Sequence, residues 1–147
     1  CGVATPRTLS SQELARLSTA GLQGRLRFPC ALKPLFSHVW RKTFGEQKLQ
    51  VVESEAQLWE HFRRLQALGL QALATEIIPG PDDAIYSCST YLNRRSQPLA
   101  VFTKRKLYQH PNRFGVAAMS VSVWEPQVAS LAVRLLQAAM EVAAASS

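Results

Sequence analysis

An α+β fold follows from three features of this 147-residue sequence. A capped segment of helical apolar period, Ser54 to Leu68, lies between short extended segments. Strand-like segments joined by polar turns then run from Ala84 to Val123, and a helix-forming, Ala- and Leu-rich stretch follows. Strands and helices do not alternate one for one, which argues against a doubly wound parallel sheet.

The elements can be justified in chain order. Ser10 or Ser11 can cap a short amphipathic helix reaching about Leu22, with Leu14, Leu17 and Leu22 near helical spacing. Cys30-Ala31-Leu32 is an apolar run ending at Lys33-Pro34. Proline lacks an N–H and disfavours helix before it, so Lys33 falls at the end of a strand. Leu35 to Gln47 reads as a loop and Lys48 to Val52 as a strand. Ser54 with Gln57 predicts a capping box, Leu58, Phe62, Leu65 and Leu68 a buried stripe, and Gly69 the stop. Leu73 to Ile78 is a strand halted by Pro79-Gly80-Pro81. Ala84 to Leu92 and Leu99 to Leu107 form a hairpin around Asn93–Gln97. Val116 to Val123 adds a strand, and Glu125-Pro126 opens a helix from Gln127 to about Ala145, with fraying expected from Ala143 to Ser147.

Composition bounds the function. Apolar residues make up 47% and charged residues 18%, so a packed core can form. No unbroken apolar run approaches the roughly 20 residues of a membrane span. Residues 1–7 do not open a signal peptide, and a start at Cys1 without Met suggests a trimmed segment. Cys1, Cys30 and Cys88 show no CxxC spacing, so reduced thiols and a cytoplasmic setting are expected. The net charge of +7 suits anionic partners, namely nucleotide phosphates, nucleic acid or a membrane surface, the plainer reading being a solvated basic face.

Three places can carry chemistry. Lys33 at a strand end can present its ammonium to a phosphate. Glu76 at the Pro-Gly bend can accept from an adenine amino group, apolar Ile78 can cover the ring, and Asp83 can accept from ribose hydroxyls. In Lys104-Arg105-Lys106, alternation puts the two lysines on one face and Arg105 on the other, where an arginine can grip a phosphate or carboxylate. Each has a plainer reading: a surface lysine, a solvated turn, or an edge strand guarded by charge. There is no GxxxxGK[ST] or GxGxxG loop and no nucleophile elbow.

Taken in order, these segments resemble the ATP-grasp superfamily, nearest to its carboxylate–amine ligases of the D-aspartate ligase and carbamoyl-phosphate-synthase-like type. The resemblance is carried by Gly2-Val3-Ala4-Thr5-Pro6-Arg7-Thr8, by Phe28-Pro29-Cys30-Ala31-Leu32-Lys33-Pro34, by the strand from Lys48 and the Ser54 helix, by Thr75-Glu76-Ile77-Ile78-Pro79-Gly80, and by Phe102 to Pro111. It implies a lid subdomain of two or three strands plus a helix over about residues 26–78. A second subdomain would begin over about 79–147, with antiparallel strands and the last helix. It further implies that Lys33 and Lys48 face the phosphates of ATP, that Glu76, Ile77 and Ile78 hold adenine, and that Asp83 holds ribose. Arg105 and Lys106 would stabilise the transferring phosphoryl group or acyl-phosphate. The family's reaction is attack of a carboxylate on the γ-phosphate of ATP, then displacement of phosphate by an amine. Fixed cations lower both barriers electrostatically.

Two departures qualify what the resemblance implies. The family's glycine-rich loop is replaced by Leu35–Gln47, where only Gly45 is glycine, so phosphate cover would fall to Ser37, His38, Arg41 or Lys42. The family's Mg²⁺ ligands lie on a later Glu-x-Asn strand pair. Here only Glu125 and Glu141 follow Trp124, so the Mg²⁺ ligands are expected outside this segment and the chain alone is expected to be inactive. The expected partners are ATP and small carboxylate and amine substrates, with a homo-oligomer compatible and no membrane. The geometric expectation is that Lys33 and Glu76 converge across one cleft. The alternative is a small basic nucleic-acid-binding domain, motivated by Arg94-Arg95 and Lys104–Lys106. Against it, the strands lack evident paired aromatics for base stacking. A third reading is an interaction domain using Leu131, Val133, Leu135, Leu136 and Met140, for which a core role is the stronger expectation.

Overall fold

The computed structural model describes residues 2–17, 19–45 and 47–145. The fold is α+β, with two antiparallel sheets and a C-terminal helix. It divides into two compact units, Thr5–Pro79 and Gly80–Ser147 with Cys1–Ala4. The division falls at the Pro-Gly bend, where Pro79 and Gly80 interrupt the chain after a strand.

The first unit contains β1 (Thr8–Ser10), α1 (Ser11–Arg16), β2 (Cys30–Pro34), α2 (Ser37–Phe44), β3 (Gln50–Val52), α3 (Glu55–Ala67) and β4 (Ala72–Glu76). Its sheet has the order β1-β4-β2-β3. Leu9 pairs with Ala74, Ala74 with Leu32, Leu32 with Gln50, and Cys30 with both Val52 and Glu76. Directly paired residues share a face. Leu9, Cys30, Leu32, Val52, Ala72 and Ala74 therefore form one apolar face, and Leu14, Trp40, Leu58, Phe62 and Leu65 of the three helices close over it.

Local chemistry sets these elements. Ser10 caps α1 in a reciprocal box with Glu13: the Ser10 N–H donates to Glu13 Oε2 at 2.8 Å, and the Glu13 N–H to Ser10 Oγ at 3.3 Å. Helix α1 is shorter than the periodicity predicts, because the backbone turns extended at Leu17. A short 3₁₀ turn follows at Thr19–Leu22. Ser54 caps α3 by accepting from Gln57 N, while Gln57 Oε1 accepts from Glu53 N rather than closing the box at Ser54. Leu68 forms the C-cap and is 48% exposed, so the buried stripe of α3 ends at Leu65. Gly69 follows at φ 66°, a conformation that lacks a steric penalty only for glycine.

The predicted loop Leu35–Gln47 instead contains α2. Trp40 is buried, its indole N–H donates to Gln47 O at 2.8 Å, and its ring lies 4.5 Å from that of Phe44. An apolar pair at i, i+4 is enough to seat one helical face on the core, although the residues between are polar. Lys48 also precedes β3 instead of belonging to it.

The second unit contains β5 (Tyr86–Leu92), β6 (Pro98–His110), β7 (Val116–Ser122) and α4 (Pro126–Ala145). The sheet order is β5-β6-β7. The hairpin turn closes through Asn93, whose Oδ1 accepts from the N–H groups of Arg95 and Gln97. Helix α4 lies over β5 and β6. Thr103 fixes its entry: Oγ1 donates to Val123 O and accepts from Glu125 N at 3.0 Å. Gln137 Nε2 donates to Ser96 O at 2.8 Å and ties the middle of α4 to the hairpin.

The expected core role is not met for four of the five α4 residues, and Val133 is half-buried. Ala129 is the one buried residue of α4, and Leu131, Leu135, Leu136 and Met140 are exposed. The helix covers two strands and leaves every residue of β7 exposed, so its other flank has no sheet beneath it. Among the described residues α4 is also the one helix long and apolar enough to cross a bilayer, by length and composition only. Counting unbroken runs overlooks it, because Arg134, Gln137 and Glu141 interrupt the apolar residues. The helix continues through Ala145; Cys1 and the last two residues of the expected frayed tail lie outside the described residues.

Candidate functional site

The register of the first sheet decides where the predicted site residues point. Lys33 pairs with Leu73, and Ala31 with Thr75. These residues occupy the face away from α1, α2 and α3, together with Thr8 and Val51. Lys33 is exposed there. Lys48 is exposed as well, two residues before the Leu32–Gln50 pair, while Lys33 is one residue after it. Two ammonium groups thus flank the same end of the β2–β3 pair. Helix α2 starts four residues after Lys33. Its N-cap, Phe36, supplies no side-chain acceptor, so the first-turn N–H groups keep their positive end open to an anion. Ser37, His38, Arg41 and Lys42 all ride on this helix.

Glu76 goes the other way. It pairs with Cys30 and so lies on the helix-covered face, at its rim. Its carboxylate sits 3.8 Å from Arg7 Nε and 3.9 Å from Arg27 Nε, and Oε2 accepts from Arg7 N at 3.2 Å. Arg7 Nη1 in turn donates to Gly24 O. The carboxylate therefore holds the chain leading into β1 and the Gly24–Arg27 connector against the end of β4. Lys33 and Glu76 do not converge through their side chains, because an odd separation along paired strands places them on opposite faces. What remains free at this bend is apolar: Ile77 is half-buried and Ile78 is 67% exposed.

Asp83, Arg105 and Lys106 belong to the second unit. Asp83 and Asp82 line a hollow of about 450 Å³ with Leu107, Tyr108, Gln109 and Asn112. Beside it, Lys106 Nζ donates to Gln109 Oε1 at 2.9 Å. A lysine can only donate, which fixes the orientation of the Gln109 amide and leaves its buried Nε2 without a protein partner. Arg105 pairs with Tyr86 and Val121, on the same face as Thr103 and α4. Arg105 and Lys106 consequently leave β6 on opposite faces and do not form one cationic clamp.

Cys30 and Glu13 are both shifted by their surroundings in the first unit. Burial pushes the Cys30 thiol up to about 11, which removes it as a nucleophile near neutral pH. Backbone and hydroxyl donors of Ser10 hold the Glu13 carboxyl below its ordinary range, a consequence of helix capping. Among the described residues no three His, Cys, Asp or Glu side chains gather to hold a metal. Asp82 and Asp83 by themselves do not supply the oxygen set of a Mg²⁺ site.

Sequence reasoning missed one arrangement. Ser89 pairs with Phe102 and Tyr91 with Ala100, so Tyr91 and Phe102 are diagonal neighbours on the face opposite α4. Tyr91 is 65% and Phe102 49% exposed, and Lys104 follows Phe102 on that face. The paired aromatics thought to be lacking are present. The signal was the hairpin register, which Asn93–Gln97 could have fixed. Compared with known proteins, the chain matches no family profile and no curated sequence.

Proposed function

We propose that the chain is the ATP-binding portion of a cytoplasmic ATP-dependent carboxylate–amine or carboxylate–thiol ligase of the ATP-grasp type, acting through an acyl-phosphate. The observation that carries this reading is the placement of Lys33 and Lys48. Both are exposed and flank one end of the β2–β3 pair, beside the uncapped start of α2. Two point charges and a row of unpaired N–H groups suit the phosphates of a nucleotide. Between Phe28 and Gly45, the segment around Lys33, the sequence has no Asp or Glu; Glu46 lies two residues before Lys48.

The other contacts follow with one change. Because the Glu76 carboxylate is engaged by Arg7 and Arg27, adenine recognition falls to the backbone at Glu76, Ile77 and Ile78, with Ile78 covering the ring. Asp83, Arg105 and Lys106 belong to the second unit, and for them the ribose and phosphoryl roles rest on the resemblance alone. Among the described residues no three carboxylate, imidazole or thiol groups gather to fit Mg²⁺.

Calorimetric titration with ATP and ADP, with and without Mg²⁺, tests the reading. Wild-type chain should bind ATP without turning it over. Lys33→Ala and Lys48→Ala should each weaken binding by about tenfold, the effect of losing a charge-assisted contact of roughly 1.5 kcal/mol. Unchanged affinity in both variants, or no binding by the wild type, rejects the proposal.

A further inference from the structure

The charge of the chain is unevenly spread. From Ala84 to Trp124 there are six Lys and Arg residues and no Asp or Glu, out of a net charge of +7 for the whole chain. This is the stretch that forms the three-stranded sheet. One face of that sheet is taken by α4 through Thr103 and its neighbours. The other face presents Ser87, Ser89 and Tyr91 from β5, and Ala100, Phe102 and Lys104 from β6. Ser89 and Ala100, the residues paired with Phe102 and Tyr91 across β5 and β6, have short side chains. Arg94 and Arg95 are exposed in the turn, three and four residues beyond Tyr91.

We propose that this face binds single-stranded nucleic acid, with bases stacked on Tyr91 and Phe102 and phosphates held by Lys104, Arg94 and Arg95. Exposed aromatic rings at diagonal positions of adjacent antiparallel strands stand about 7–8 Å apart, close enough to take successive unpaired bases. Every base offers a π-face, so the platform is tolerant of sequence. The flanking cations run along the same line, which suits a backbone that carries one charge per nucleotide. A duplex keeps its bases stacked inside and offers these rings nothing. The site goes beyond the ATP-binding reading and shares no residue with it.

Fluorescence anisotropy with labelled 12-nucleotide single strands, of RNA and of DNA, tests the proposal. Binding should weaken with salt at a log–log slope of about −2, as expected for three phosphate contacts on a single strand. Tyr91→Ala and Phe102→Ala should each lower affinity about tenfold, while Tyr91→Phe keeps it, since the ring rather than the hydroxyl does the stacking. Both side chains are exposed, so circular dichroism should be unchanged. Preference between RNA and DNA reports which strand the face serves. Three results overturn the proposal. Wild-type affinity in the Tyr91→Ala/Phe102→Ala double variant would show a charge effect alone. Equal or tighter binding of duplex would exclude stacking. Displacement of the oligonucleotide by ATP at the affinity of ATP itself would place it in the nucleotide site instead.

Discussion

The two units solve the same problem, covering one face of a small antiparallel sheet, with unequal success. In Thr5–Pro79, three helices close over the sheet, and Leu14, Leu32, Cys30, Val52 and Leu58 are sealed from solvent. Among the described residues from Gly80 onward, one helix covers two of three strands, and Ala129 is the one buried apolar residue, alongside the buried polar Thr103 and Gln109. Apolar burial supplies most folding free energy, at about 25 cal/mol per Å². The first unit therefore draws its stability from a core. The second depends on its strand ladder and on a few side-chain bonds at the start and middle of α4. A difference of this kind also separates their surfaces, because side chains that do not enter a core remain available for contact.

The sharpest way to break this comparison is to hollow out each unit in turn. Leu58→Ala should destabilise the first unit by about 2–5 kcal/mol, through lost burial and an unfilled cavity. Val121→Ala on β7 should change stability by less than about 1 kcal/mol, since Val121 is already 40% exposed. Tryptophans report the units separately, with Trp40 and Trp59 in the first and Trp124 in the second. Urea titrations followed by fluorescence in a Trp124→Phe background isolate the first unit. Equal sensitivity at the two sites would remove the distinction between a cored and an uncored sheet.

The next effect depends on pH and belongs to the first unit alone. Cys30 is fully buried, and burial raises its thiol from the ordinary value of 9.0 to about 11. The folded state holds a proton that the unfolded state releases. This contribution is complete below pH 9 and is lost as the pH rises toward 11. Roughly 2–3 kcal/mol of stability should disappear across that window. Cys30→Ala should be less stable at neutral pH but should fall less steeply above pH 9. Parallel slopes for the two proteins, measured by urea titration at each pH, would show that the thiol is not held in the protonated form by folding.

How far the sequence could be read follows the same division. Helix α3 was legible almost to the residue, because Ser54, Gly69 and the Leu58–Phe62–Leu65 stripe are local signals that agree. The hairpin and the final helix were legible for similar reasons, as turn chemistry and proline punctuation are local too. Helix α2 was not, since its evidence is two aromatics, Trp40 and Phe44, among polar neighbours, and their value comes from a core assembled by distant strands. Strand β1 was hidden as well: Thr8–Ser10 becomes a strand only by pairing with β4, more than sixty residues away. The site was legible as residue types but not as directions. Lys33 lay at its expected strand end, yet the face taken by Glu76 depends on a register set by Cys30 and Val52. A one-residue change of register would have reversed that face.

An effect smaller than those at Leu58 and Cys30 probes what the second unit uses in place of a core. Thr103 Oγ1 satisfies both the Val123 carbonyl and the Glu125 N–H where the chain leaves β7 for α4. Thr103→Val keeps the shape of the side chain and removes both bonds. Each group left unpaired in a buried setting costs about 1–3 kcal/mol, and partial access to water at the start of α4 brings the sum to about 1–2 kcal/mol. Hydrogen exchange read by mass spectrometry should show faster exchange across Ala129–Met140 and unchanged protection in α3. If exchange in α4 does not respond, the helix is held by its half-exposed apolar residues after all. The second sheet would then have a core in effect, though not in solvent accessibility.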